Sequence, residues 1–149
     1  MKLLSGMALF LLCALAGEGR ARRLQRREQT LFRVYELIRD IGDRQLNGLI
    51  SFQEAALRCP PSPERQLLLE FCQGRDTGES LLTAEERDRL LAYARSESRS
   101  VAALRAERDA LLEMLQRERD RTRQDLLRKG QVYRSVGYLS GVAALLLVL

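Results

Sequence analysis

Hydrophobic positions fall along this chain in two regimes. Residues 3–17 (LLSGMALFLLCALAG) and 136–149 (VGYLSGVAALLLVL) are apolar or small throughout and carry no charged side chain. Between them, apolar residues recur every three or four positions among charged ones, the period of a helix with one buried face. No stretch alternates apolar and polar with a period of two, so no strand is expected. The pattern predicts an all-α protein, a small helical bundle flanked by two short transmembrane segments.

In the central stretch, Leu31, Val34, Tyr35, Ile38 and Ile41 form a stripe on a helix from about Arg23 to Arg44. Asn47-Gly48 breaks it. Ser51-Phe52-Gln53-Glu54 is a capping-box pattern, which starts a short helix ending before Cys59. Pro60-Pro61 stops the chain, and Ser62-Pro63 opens the next helix with an N-cap and a first-turn proline. Leu67, Leu68, Phe71 and Cys72 form its buried face.

Residues 74–80 (GRDTGES) read as a polar loop. Thr83-Ala84-Glu85-Glu86 is a second capping box, and Leu90, Leu91 and Tyr93 or Ala94 supply that helix's apolar side. Residues 96–100 (SESRS) are a break or a cap. Val101, Leu104, Leu111 and Leu115 then hold a stripe interrupted by Arg108. Beyond Leu115 the sequence QRERDRTRQD is charged all round, which predicts a solvated helix held by ion pairs four residues apart and running on to the second apolar run.

As helices, the two apolar runs reach roughly 22 Å at about 1.5 Å per residue, short of the ~30 Å hydrocarbon core of a bilayer. Thinning of the bilayer, snorkelling flanks or packing of the runs on each other would cover the mismatch. Charge orients them. Arg20, Arg22, Arg23, Arg26 and Arg27 follow the first run, and Arg128, Lys129 and Arg134 precede the second. The positive-inside rule keeps both flanks in the cytoplasm and the eight cations near lipid headgroups. The expected division is an N-terminal anchor at 1–17, a cytoplasmic helical domain at 18–134 and a C-terminal anchor at 135–149. A cleaved signal peptide competes for the first run, with Lys2 as its basic start and Ala14-Leu15-Ala16 as the cleavage motif. Leu12 before Cys13 is the wrong residue for a lipoprotein site. In the second run, Gly137 and Gly141 make a G-x-x-x-G pair flanked by Ser140, a pattern that lets a second helix backbone approach closely inside a membrane.

Composition narrows the chemistry. The 149 residues carry a net charge of +5 and contain no His, which removes His general bases and His metal ligands. Cys13, Cys59 and Cys72 are too few and too scattered for a disulfide framework or a zinc site. Phosphate-loop, nucleophile-elbow and zinc-protease motifs are absent from the sequence. Glu85, Glu86, Asp88, Glu118 and Asp120 sit among arginines, as solvated ion pairs do. The arginine cluster lacks interleaved aromatics for base stacking, so lipid explains it better than nucleic acid. The expectation is a protein that is not an enzyme and needs no cofactor.

The two ends, MKLLSGMALFL and RSVGYLSGVAALLLVL, resemble the termini of the stage III sporulation protein AB family of endospore-forming bacteria. The stretch RRLQRREQTLFRVYELIRDIGDRQLNGLISFQEAALRC is similar to that family's first helix, with Ile50 to Ala55 at the start of its second. The chain departs from the family pattern between the third and fourth helices, where a Trp-containing stretch is missing, and at residues 95–98. The resemblance implies a component of a transport complex between mother cell and forespore, set in the mother-cell membrane. It implies similarity to the cytoplasmic domain of the inner-membrane platform protein of type II secretion. Other membrane components of the complex and a cytosolic ATPase are the implied partners. The rival is an exported or envelope coiled-coil protein with a signal peptide and a C-terminal anchor.

Overall fold

A computed structural model describes residues 2–75, 81–96 and 100–148. The described chain is helical without strands: α1 Lys2–Gly48, α2 Phe52–Arg58, α3 Pro63–Cys72, α4 Ala84–Ala94 and α5 Val101–Val148. The loop read at residues 74–80 and the break read at 96–100 lie largely outside the described residues. The chain divides into two compact units, Gln29–Arg119 and Met1–Glu28 with Asp120–Leu149.

The short helices begin where the sequence supplies caps. The Ser51 hydroxyl accepts from Glu54 N at 3.2 Å and the Ser62 hydroxyl from Arg65 N at 3.1 Å, with Pro63 in the first turn of α3. At α4 the box is reciprocal. Thr83 N donates to the Glu86 carboxylate at 2.6 Å and Glu86 N donates to Thr83 Oγ1 at 3.3 Å. Each such cap contributes about 1 kcal/mol. α1 ends with Leu49 in the left-handed region at φ 49°, a position that glycine usually takes.

In the unit Gln29–Arg119 the α1 stripe forms the centre of the core, with Leu31, Val34, Ile38 and Ile41 fully enclosed. Phe52, Ala55 and Ala56 of α2, Leu68 and Phe71 of α3, Leu90 and Tyr93 of α4, and Leu111 and Leu115 of α5 join the same cluster. Burial of each large side chain contributes roughly 1.5–3 kcal/mol, which holds the short helices against α1 and α5. Leu104 is only partly buried and Val101 is exposed, so the α5 stripe enters this core mainly through Leu111 and Leu115. Phe52 and Tyr93 meet edge to face at 5.8 Å. The Tyr93 hydroxyl donates to Gln45 Oε1 at 3.0 Å, which satisfies a polar group inside the core.

The expectation of two transmembrane anchors needs correction in length. Among the described residues no helix is long and apolar enough to cross a membrane. The apolar runs are too short, and each continues within its own helix into charged sequence. α1 runs on without a break through residue 17, because Gly17 and Gly19 cost helix propensity without ending the helix and no proline follows them within it.

Candidate functional site

The described residues of the unit Met1–Glu28 with Asp120–Leu149 form a pair of antiparallel helix segments, and small residues make its seam. A β carbon on Gly17 would lie 2.5 Å from the carbonyl oxygen of Tyr133 and 3.2 Å from the α carbon of Gly137. One on Gly137 would lie 2.9 Å from the carbonyl oxygen of Cys13, and one on Gly141 would lie 2.7 Å from the Phe10 ring. Real β carbons do not approach so closely, so the backbones meet at a distance that only glycine permits. Ala21 and Thr122 are also buried in this unit.

Ser140 lies elsewhere. It is exposed, and its hydroxyl donates within α5 to Val136 O at 2.7 Å and Gly137 O at 3.2 Å. The serine therefore satisfies itself on its own helix and does not bridge to α1.

The outward faces of the same segments are apolar. Met7, Leu11, Leu12 and Leu15 on α1, and Val136, Tyr138, Leu139, Val142 and Leu146 on α5, all stand exposed, Leu15 at 66% and Leu139 at 69%. This inverts the usual arrangement of a helix pair in water, where leucines fill the seam and small or polar residues face out.

Below the apolar end, the charges set the register of the pair. Arg134 Nε donates to Glu18 at 3.0 Å across the seam, and Arg22 Nε donates to the same carboxylate at 3.2 Å within α1. The Arg20 guanidinium sits over the Tyr133 ring at 5.9 Å. Lys129 pairs with Asp125 at 2.9 Å, and the hydrogen bond to that carboxylate raises its pKa. Arg23, Arg26 and Arg128 are exposed and have no carboxylate partner among the described residues, whereas Arg27 is half-buried and engaged. The eight cations named from the sequence thus separate into tied and untied groups.

The residues of α1 that complete the seam were not singled out by the sequence reading. Cys13, Gly17 and Ala21 recur at steps of four, a small-residue stripe matching Gly137 and Gly141 on α5. That spacing was the available signal. Residues 14–16, the cleavage motif of the signal-peptide alternative, lie inside α1.

A groove of about 600 Å³ runs past Gln45, Ile50, Phe52, Cys72 and Arg95, and its only ionisable described lining residues are Cys72 and Arg95. Burial pushes the Cys72 thiol up, away from thiolate reactivity. All three cysteines are free thiols, and among the described residues no cluster of acids or thiols is placed to hold a metal ion. The chain matches no protein-family model, no curated protein and no solved structure.

Proposed function

We propose that this protein is a non-catalytic, membrane-attached scaffold. The paired ends of α1 and α5 enter lipid, and the helical unit of residues 29–119 is thereby held at the membrane for partner proteins. The observation that carries this reading is the inverted helix pair, with glycine backbones in the seam and leucines and valines outside it. In lipid the outward leucines lose nothing, and close backbone packing holds the helices together. In water the same surface would be a contiguous apolar patch, a liability for any soluble monomer. Insertion does not require crossing, which suits apolar runs shorter than a bilayer core.

Packing of Cys13 and Phe10 against α5 supports retention of the first run, because cleavage after Ala16 would strip away half of the seam. The resemblance to stage III sporulation protein AB extends the proposal to a place in the mother-cell membrane facing the forespore. There the partners would be other membrane components of a transport complex and a cytosolic ATPase. Neighbouring genes for an ATPase and several small membrane proteins are the expected genomic setting.

Vesicle flotation tests the membrane reading. The full chain, purified in detergent and diluted into preformed vesicles, is expected to float with them and to resist extraction by high salt. A chain that stays monodisperse without detergent and remains at the bottom of the gradient overturns the proposal.

A further inference from the structure

The seam of the helix pair leaves one face of α1 unaccounted for. Gly17 meets α5, and the buried Ala21 and half-buried Leu24 fall on the same side of α1 by helical spacing. At 3.6 residues per turn, Leu12, Leu15, Gly19, Arg23 and Arg26 fall within one sector of α1 roughly 80° wide on the far side. All five are exposed. A β carbon on Gly19 would meet nothing within 4 Å, so packing does not explain the glycine there. It leaves bare backbone between the leucines and the two arginines.

Helix direction decides which cations can use that face. In an α-helix each Cα–Cβ bond tilts towards the N-terminus. The N-terminal part of α1 is its apolar part, so the Cα–Cβ bonds of Arg23 and Arg26 tilt towards the lipid-facing leucines, with Arg23 one turn beyond the open position at Gly19. Measured from Gly17, where the apolar run ends, they lie about 9 and 14 Å along the axis, the distance over which headgroups and their screened field act. α5 runs the other way, so Arg128 and Lys129 lean away from its apolar end. Lys129 is moreover tied to Asp125.

We propose that Arg23 and Arg26, on the exposed face of α1 that Gly19 leaves bare, form a phosphate contact selective for anionic phospholipid headgroups, a role that the cations of α5 do not share. This inference rests on the reading that the paired ends enter lipid. Guanidinium groups suit the task, since their paired N–H donors match two phosphate oxygens at once. Neither arginine has a carboxylate partner among the described residues to compete with the phosphate.

Two double variants with equal loss of charge separate position from charge count. The full-length protein, R23Q/R26Q and R128Q/K129Q would each be titrated with vesicles of phosphatidylcholine alone and of phosphatidylcholine mixed with phosphatidylglycerol. The unsubstituted chain is expected to prefer the anionic vesicles. R23Q/R26Q should lose roughly twentyfold of that preference, while R128Q/K129Q keeps most of it. Equal losses in the two variants, or no preference in the unsubstituted chain, overturn the inference. Binding to neutral vesicles reports the apolar insertion separately. R23Q/R26Q should retain it, and its absence in the unsubstituted chain would instead defeat the membrane reading itself.

Discussion

Gly17 and Gly137 face each other so closely that a β carbon on either would lie 3.2 Å from the other's α carbon. Nothing but hydrogen fits between these backbones. The contact fixes where α1 and α5 cross in their paired segments, and the bridge from Arg134 to Glu18 lies beside it. Gly17→Ala should therefore force the helices apart, because the carbonyl of Tyr133, 2.5 Å away, is backbone and cannot rotate clear. A loss of about 1–3 kcal/mol is expected for such overpacking, read as a lower thermal midpoint in detergent by circular dichroism. An unchanged midpoint would show that the seam is looser than described.

Gly19 supplies the contrast, two residues further along the same helix. Its β-carbon position is open, so Gly19→Ala meets no neighbour and gains helix propensity. The expected result is a rise of about 0.5–1 kcal/mol in stability, opposite in sign to the change at Gly17. If both substitutions destabilise equally, the effect lies in the helix backbone and not in the seam.

The buried hydrogen bond from Tyr93 to Gln45 predicts a non-additive pair. Tyr93→Phe keeps the edge-to-face contact with Phe52 but leaves the Gln45 carbonyl oxygen without its partner, at a cost of about 1–2 kcal/mol. Adding Gln45→Leu removes the orphaned group, and the double variant should recover much of the loss. Denaturant titration of the four proteins measures the coupling. Strict additivity would mean that the bond contributes nothing.

Alkaline solution should weaken the unit of residues 29–119. Burial, with help from the hydrogen bond to Asp40, pushes the Cys59 thiol from 9.0 to about 11. Burial likewise pushes the Tyr93 phenol from 10.0 to about 12. Below pH 9 both groups are protonated in the folded and the unfolded chain, and their stabilising contribution is complete. Above it the unfolded chain releases protons that the folded chain retains, so stability falls as pH rises towards the folded pKa values. Thermal melts from pH 8 to 12 should decline steadily, and Cys59→Ala should flatten the portion between pH 9 and 11. A flat profile in the unsubstituted protein would contradict the enclosure of both groups.

Much of the fold was legible because local chemistry determined it. Ser51, Ser62 and Thr83 start helices through their own hydroxyls, and the stripe at Leu31, Val34, Ile38 and Ile41 needs only its period to be recognised. Pairings between distant residues were not legible. The seam needs Gly17 and Gly137 on the same level, and nothing local to either states that α1 and α5 meet there. Where the Ser140 hydroxyl would go was not legible either: it finds acceptors one turn back on its own helix. The charge flanking the apolar runs was plain, whereas its division into tied and untied cations depends on Glu18, which holds Arg134 and Arg22, and on Asp125, which holds Lys129.

Arg108 concentrates the same lesson. In the sequence it interrupts the α5 stripe, an apparent flaw in a buried face. In the fold its aliphatic stem lies over Gly42, where any β carbon would collide with Arg108 Cδ, and its guanidinium reaches Asp43 at 2.6 Å and Asp109 at 3.0 Å. The side chain is only 15% exposed, yet Asp43 is 55% exposed, so solvent screens much of the ion pair. The stem should therefore matter more than the charge. Arg108→Met, which keeps a long chain over Gly42, is expected to cost less than about 1 kcal/mol, and Asp43→Asn about 0.5 kcal/mol. Arg108→Ala exposes the floor at Gly42 and the neighbouring face of Tyr93, with a cost of about 2 kcal/mol. Urea unfolding ranks the three. Equal losses for the Met and Ala variants would shift the weight from packing to charge, and raising the salt concentration would then reduce the difference from the unsubstituted protein.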